Sequence, residues 1–511
     1  MFVYKGAVRY NQCRGTDGTP QLVSACASEW RGHNGLMTPM GNQPMGPEVG
    51  PAKGSLLGMG LVCALLAAAF LLAACEIAPA TPGSGLPTAT PPIAADPTNT
   101  PLPVTTTLLV FWEPFPLDRP QGLLLGEMVR DFQSANPDVE VELVPKSGTV
   151  GLHESMLAVL PDGEQPHLAV AFPSMIAEYA AQGAVVPLDP FLADREVGLS
   201  AEELADFFPG LLESGQLPGY GGQMLSLPFV QNAVGMWVNQ NLLETAGWNL
   251  PPTTWTEFEQ ACYDVWAHSG QQCYPFVESV TTFDAWLRSR GGRQFDEIGR
   301  QATFQEMAGA ESLEMLRRLI DAGLAWRPQD TYGDYVAFSN GLAAFTFSST
   351  GSSPLYVEAY DAAVRSGMAP FSWKQTLIPQ ADPSRPATSL VGTSFFILPS
   401  DLDHEMGAWR LIRWFTQPEQ TARWAASLEA MPVRSSAQSV MTDTLSAYPF
   451  VREQMDEIMP FARPEPALPK GLEAREILYT AILSVTQGYS GTQEALDNAA
   501  SQVDALLGSV P

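Results

Sequence analysis

Residues 105–143 change hydrophobic period twice, and that change leaves few folds open. The run TTTLLVFW at 105–112 reads as one continuous apolar strand, covered on both faces. Leu124, Met128 and Phe132 then recur at helical spacing, and Asn136-Pro137 stops the pattern because proline cannot continue a helix. Beyond the stop, Val139, Val141 and Leu143 alternate with Glu140 and Glu142, the period of a half-buried strand. Strand, helix and strand in this order predict a right-handed βαβ unit, and with it an α/β lobe. Further helices are predicted over 311–322 (Leu313, Leu316 and Ile320 on one stripe), 403–416 and 419–428. The tail from 471 to 507 is also helical apart from a Gly-Tyr-Ser-Gly break at 488–491, and strands are expected at 341–348 and 394–398. There is no internal repeat.

Upstream of this body the chain is of another kind. Residues 54–75, GSLLGMGLVCALLAAAFLLAAC, are uncharged, mostly apolar, and end in Leu72-Ala73-Ala74-Cys75. That ending resembles a bacterial lipobox, in which small residues fit the signal peptidase and the cysteine thiolate takes the lipid. Cys75 is therefore the expected lipidation site, and 1–75 the leader. The other reading of the stretch is a transmembrane anchor, since it is about long enough to span a bilayer. Residues 1–44 fit no secretion signal, so translation is expected to start at Met45 or Met59. Residues 76–104 are rich in Pro and Thr and cannot bury a core, so they read as an extended tether. The expected location is extracytoplasmic, on a lipid anchor in the cell membrane.

About 400 residues remain, enough for two lobes with sizeable cores. The formal charge of −28 argues against nucleic-acid partners, which want basic patches. Lysine is nearly absent from the body, at Lys146, Lys374 and Lys470 alone. Two cysteines remain there, Cys262 and Cys273. An exported location permits a disulfide between them, and a pair of buried thiols is the alternative.

The body histidines, His153, His167, His268 and His404, have no zinc-site spacing, and no H-E-x-x-H, nucleophile elbow or P-loop occurs. No metal, cofactor or catalytic residue is expected. Carboxylates are too plentiful for counting to exclude a glycosidase pair.

Three separated segments carry a family resemblance. LPFVQNAVGMWVNQNLLETAGWNLPPTTWTEFEQA (227–261) has a Leu-Pro-aromatic start, a strand ending in Asn-x-x-Leu, an Ala-Gly turn, and Pro-Pro-x-Thr-Trp-x-Glu opening a helix. Thr254 and Glu257 have the spacing of a capping box there. FSNGLAAFTFSSTGSSPL (338–355) and LVGTSFFILPSD (390–401), followed by AMPVRSSA (430–437), complete the set. In order and spacing they resemble the extracellular solute-binding proteins of ABC importers, the family-1, maltose-binding-like group, of lipoprotein type. Trp237, Phe345 and Val391 depart from the family's usual tyrosine, methionine and glycine.

The resemblance implies a two-lobe periplasmic-binding-protein-like α/β fold with hinge strands and an interlobe cleft. The lobes are expected at 105–228 with 380–428, and at 229–379 with 429–511. The implied function is capture of a carbohydrate, polyol or glycerol-phosphate compound by lobe closure and delivery to permease subunits, with the protein acting as a monomer. A lipid-anchored glycoside-processing enzyme and the ligand-binding subunit of a sensor are the alternatives. Such a ligand needs aromatic faces and a few polar groups on loops beside strand ends. On that rule the candidate contacts are Trp112, Glu113, Phe172, Ser174, Asn232, Trp286, Ser349, Thr350, Gly392, Thr393, Ser394 and Arg434. An Arg434 contact would favour an anionic ligand.

Overall fold

The computed structural model describes residues 106–509 except 297, 299, 331, 428 and 429. The leader, Cys75 and the tether lie outside the described residues. The βαβ unit is present as read. Strand β1 (Thr107–Glu113) pairs in parallel with β2 (Val139–Pro145), from Thr107 opposite Val139 to Glu113 opposite Pro145. Helix α1 (Pro120–Ala135) crosses between them and buries Leu125, Met128, Val129 and Phe132. Leu124 lies at the edge of that face and is only half-buried. Helix α2 (Gly148–Val159), strand β3 (Leu168–Ala171) and helix α3 (Pro173–Ala181) repeat the alternation, and all four residues of β3 are buried.

Strand β4 (Leu227–Asn239) is 13 residues long, and every one but Val230 is buried. After it come helices α4 (Trp255–Ser269), α5 (Val280–Ser289), α6 (Met307–Asp321) and α7 (Gly333–Ser339). Strands β5 (Phe345–Ser349), β6 (Trp373–Thr376) and β7 (Thr388–Ile397) follow. Helices α8 (Leu402–Phe415) and α9 (Pro418–Ala425), strand β8 (Ala462–Pro464) and helices α10 (Gly471–Thr486) and α11 (Thr492–Leu507) close the chain. The strand expected over 341–348 starts later, at Phe345, because Gly341 turns at φ +70° to leave α7. Alpha4 opens on the capping box expected of Thr254 and Glu257.

The sheet runs β6-β4-β7-β3-β1-β2, with β5 also on β4 and β8 also on β7. Beta4 belongs to two lobes at once. Its residues 227–233 pair antiparallel with β7, while 234–239 pair with β5 and β6. One core therefore forms around β1, β3 and β7, with Phe111, Phe229, Phe395 and Trp409 inside it. A second forms around the far half of β4 and α4, with Phe258, Trp286 and Phe345. A third joins α10 and α11 to α5, through Leu478, Leu496 and Phe283.

The expected boundary at 428/429 needs correction. Met431, Val433, Val451, Met455 and Ile458 are buried in the first core, not the second. The chain changes lobe later, beyond β8, whose Ala462 still pairs with Thr388 at the start of β7.

Cys262 and Cys273 are fully buried and joined by a disulfide, which ties the middle of α4 to the residue before the strand at Tyr274. Replacing both by alanine is expected to lower unfolding stability by about 2–3 kcal/mol, the chain-entropy value for so short a loop. Chemical denaturation of the two proteins measures the difference.

Candidate functional site

Parallel strands end at one edge, the helices that follow begin there, and in open α/β sheets ligands bind at that edge. Here the edge opens into a cleft of about 680 Å³ between the two lobes. Its floor is the pair of crossing strands: Val230, Asn232 and Val234 of β4, with Val391, Gly392 and Thr393 of β7. Phe115, Thr149 and Phe172 come from the segments that follow β1, β2 and β3. Thr282, Tyr332, Asp334, Phe347 and Ser349 face them from the other lobe. Thr149 and Thr282 sit in the first turns of α2 and α5, where backbone N–H groups have no intrahelical acceptor.

Tight hydrogen bonding holds the floor. Gln231 Nε2 donates to the Thr393 carbonyl at 3.0 Å and to Ser394 Oγ at 3.2 Å. Thr350 Oγ1 donates to Asn232 Oδ1 at 3.0 Å and accepts from the Ala233 N–H at 3.1 Å. At Gly392 the strands come so close that a Cβ would stand 2.0 Å from the Val230 carbonyl oxygen, so only glycine fits.

Five of the expected contacts, Phe172, Asn232, Ser349, Gly392 and Thr393, line the cleft. The others do not. Trp112 is buried, with the Lys146 ammonium 3.5 Å above its ring centroid. Ser174 packs against Gly471 at the start of α10. Trp286 is core, edge-on to Trp255 and Phe347. Thr350 and Ser394 are fully buried and spend their hydroxyls on the floor. Arg434 is also buried: it donates to the carbonyls of Thr416 and Glu203 and lies over the Phe207 ring. It braces the first lobe, so the anionic ligand that depended on it loses its support.

Glu113 stands one layer behind Pro114 and Phe115. It is wholly buried, and its carboxylate accepts from the Phe115 N–H at 2.5 Å. Burial outweighs that bond and raises its pKa to about 7. Burial also raises the Asp334 carboxyl on the opposite wall. Among the described residues that line the cleft, Asp334 is the one charged group, and none is a lysine, arginine or histidine.

Residues 127–452 match the family of bacterial extracellular solute-binding proteins. The chain belongs to this family. The family is extracellular, which places the body outside the cytoplasm, and among the described residues no helix is long and apolar enough to cross a membrane. A Deinococcus radiodurans protein described as a probable ABC transporter-binding protein is 23% identical over 391 residues, 72% of this chain and 87% of that protein. The sugar-binding protein MalE of Xanthomonas citri superposes with a TM-score of 0.66 at 20% identity, covering 79% of this chain and 98% of that one. UgpB of Mycobacterium tuberculosis, solved with glycerophosphocholine, gives 0.62 at 19% identity over 79% of this chain and 99% of that one. The two-lobe fold is thus that of MalE-like binding proteins, and by family the chain is an extracellular solute-binding protein.

Sequence reasoning missed Phe115, Thr149, Tyr332, Asp334 and Phe347. Thr149 obeys the rule used for the others, since it follows the end of β2. Tyr332 and Asp334 come several residues after the two-residue strand Ala325–Trp326, which is too short to announce itself in the sequence.

Glu113 couples the cleft wall to pH. Unfolded, it loses its proton near its ordinary value of 4.5; folded, it keeps the proton to about pH 7. Its protonated form therefore favours the fold at low pH, and that advantage fades as pH rises from 4.5 to 7. The stability gap between wild type and Glu113→Gln is expected to shift in favour of the variant across this window. A gap unchanged between pH 4.5 and 8 would remove Glu113 from the account.

Proposed function

We propose that this protein captures a neutral carbohydrate between its lobes and presents it, closed, to the permease of an ABC importer. The observation that carries this reading is the cleft's chemistry. Aromatic faces at Phe115, Phe172 and Tyr332 suit the C–H surfaces of a sugar ring, and the hydroxyls of Thr149, Ser349 and Thr393 suit its hydroxyls. With no cation among its described lining residues, the cleft offers a phosphate no counter-charge there. The binding of cyclic maltosyl-maltose by a structurally similar protein from Arthrobacter globiformis supports the same class.

Closure would bend β4 and β7, the two strands that run through the hinge, and the ligand would stabilise the closed form that a permease recognises. The lobes are proposed as 105–228 with 380–464, and 229–379 with the remaining tail. Cys75 would hold the body at the membrane by its lipid, with 76–104 as spacer. A glycosidase would need two carboxylates facing the same bond, and Asp334 has no second carboxylate across from it among the described lining residues.

Calorimetry against maltose-series sugars, polyols and glycerophosphocholine tests the ligand class. A neutral sugar is expected to bind, with stabilisation of about 2.7 kcal/mol at a hundred times its dissociation constant. Phe172→Ala should weaken it about tenfold. Binding confined to glycerophosphocholine would overturn the carbohydrate assignment, and consumption of the sugar would make the protein an enzyme. For the tether, Cys75→Ala is expected to move the protein from the membrane to the soluble fraction. Unchanged membrane retention would refute lipidation at Cys75.

A further inference from the structure

A second cleft, of about 500 Å³, shares no lining residue with the first. Its charge is out of character with the chain. The whole sequence has 27 Lys and Arg against 55 Asp and Glu, yet Arg288, Arg290, Arg293, Arg385 and Arg463 all line this one cavity. Both lobes build it. Leu217 and Arg463 come from the first-lobe side, and Arg288–Phe295, at the end of α5, from the second.

Two of the five arginines are held by carboxylates. Arg288 donates to Asp284 at 2.7 Å and also to the Pro464 carbonyl; Arg385 donates to Asp382 at 2.9 Å. The other three pair with no described carboxylate. Arg463 reaches only the carbonyls of Pro460 and Ala462, at 3.1 and 2.9 Å. Arg290 lies 4.0 Å over the Trp255 ring and touches the Trp286 carbonyl at 3.3 Å. Glu311 and Glu259 act on it only at a distance, Arg318 opposes them, and burial pulls its pKa down to about 9. Of the three carboxylates on the walls, Asp382 is taken by Arg385 and Glu465 by Arg475 at 2.7 Å, leaving Glu213.

Arg290 and Arg463 are half-buried, and Arg293 stands exposed at the rim. A half-buried guanidinium without a counter-ion is costly, and a planar fork of N–H donors matches a phosphate or carboxylate group better than water does. The volume exceeds that of a bare ion and suits a small organic molecule. We propose that this arginine-lined interlobe cleft binds the phosphate group of a small phosphorylated compound, with Arg290, Arg293 and Arg463 as its cationic contacts. Because its walls come from both lobes, an occupant there also bears on how far the sugar cleft can open.

The test is calorimetry on the full chain at constant ionic strength, with inorganic phosphate and glucose 6-phosphate as separate probes. Binding of at least one probe is expected, weakened about tenfold in Arg463→Gln and in Arg293→Gln and unchanged in Phe172→Ala. Tighter binding of the sugar phosphate than of the free ion identifies an ester as the occupant; equal binding identifies the phosphate group alone. Arg290→Gln is read only if its circular dichroism and melting match wild type, since its side chain packs on Trp255. No binding of either probe into the millimolar range overturns the proposal. So does binding that survives both Arg463→Gln and Arg293→Gln, or that is lost in Phe172→Ala, which would place the phosphate in the sugar cleft.

Discussion

Everything in this molecule depends on one strand being shared. Beta4 gives its first half to the sheet of one lobe and its second half to the other, and it is buried almost throughout. A long buried strand with backbone hydrogen bonds at both ends is a stiff connection that can bend only as a unit. Gly392 lets β7 approach it closely enough to pair, and Gln231 ties the two strands again through its side chain. The cleft floor is therefore built from the same two strands that connect the lobes, so Asn232 and Thr393 sit on the connection itself.

The chemistry above that floor follows from what the fold exposes there. Strand ends and first helical turns supply small hydroxyl residues, while the loops supply aromatic faces. Asp334 apart, charge is kept one layer back. Glu113 is fully buried with its carboxyl raised to about 7, and Arg434 is turned into the first lobe as a brace. A cleft whose described lining carries a single carboxylate, inside so acidic a protein, is a consequence of placement, not composition. The cations collect instead at the other interlobe cavity, where Arg290 rests on Trp255.

Much of the architecture was legible before any coordinates. The period changes over 105–143 describe β1, α1 and β2, and the capping box at Thr254 and Glu257 marks the start of α4. The helical pattern of the tail, broken at 488–491, corresponds to α10 and α11. The candidate site was only partly legible. Ser349 and Thr350 are neighbours of similar chemistry, yet one lines the cleft and the other is buried, its hydroxyl bound to Asn232. Ser349 ends β5, while Thr350 opens the turn that follows and swings its hydroxyl under the floor to Asn232; which way that turn folds is set by the strand it meets, not by the residues in it. Tyr332 and Asp334 reach the cleft from a helix start far along the chain, and nothing local announces that.

By itself, then, the sequence determined what repeats along the chain: element types, their caps and stops, the α/β class, and the family to which the spacing of three segments belongs. These are local properties, set by hydrophobic period and backbone sterics. Tertiary structure alone decided the rest. It turned Trp286 and Arg434 inward, kept 431–462 in the first core, emptied one cleft of cations and filled another with them. Those outcomes depend on which distant segments meet at β4 and β7, and burial and charge environment are properties of that meeting, not of any residue alone.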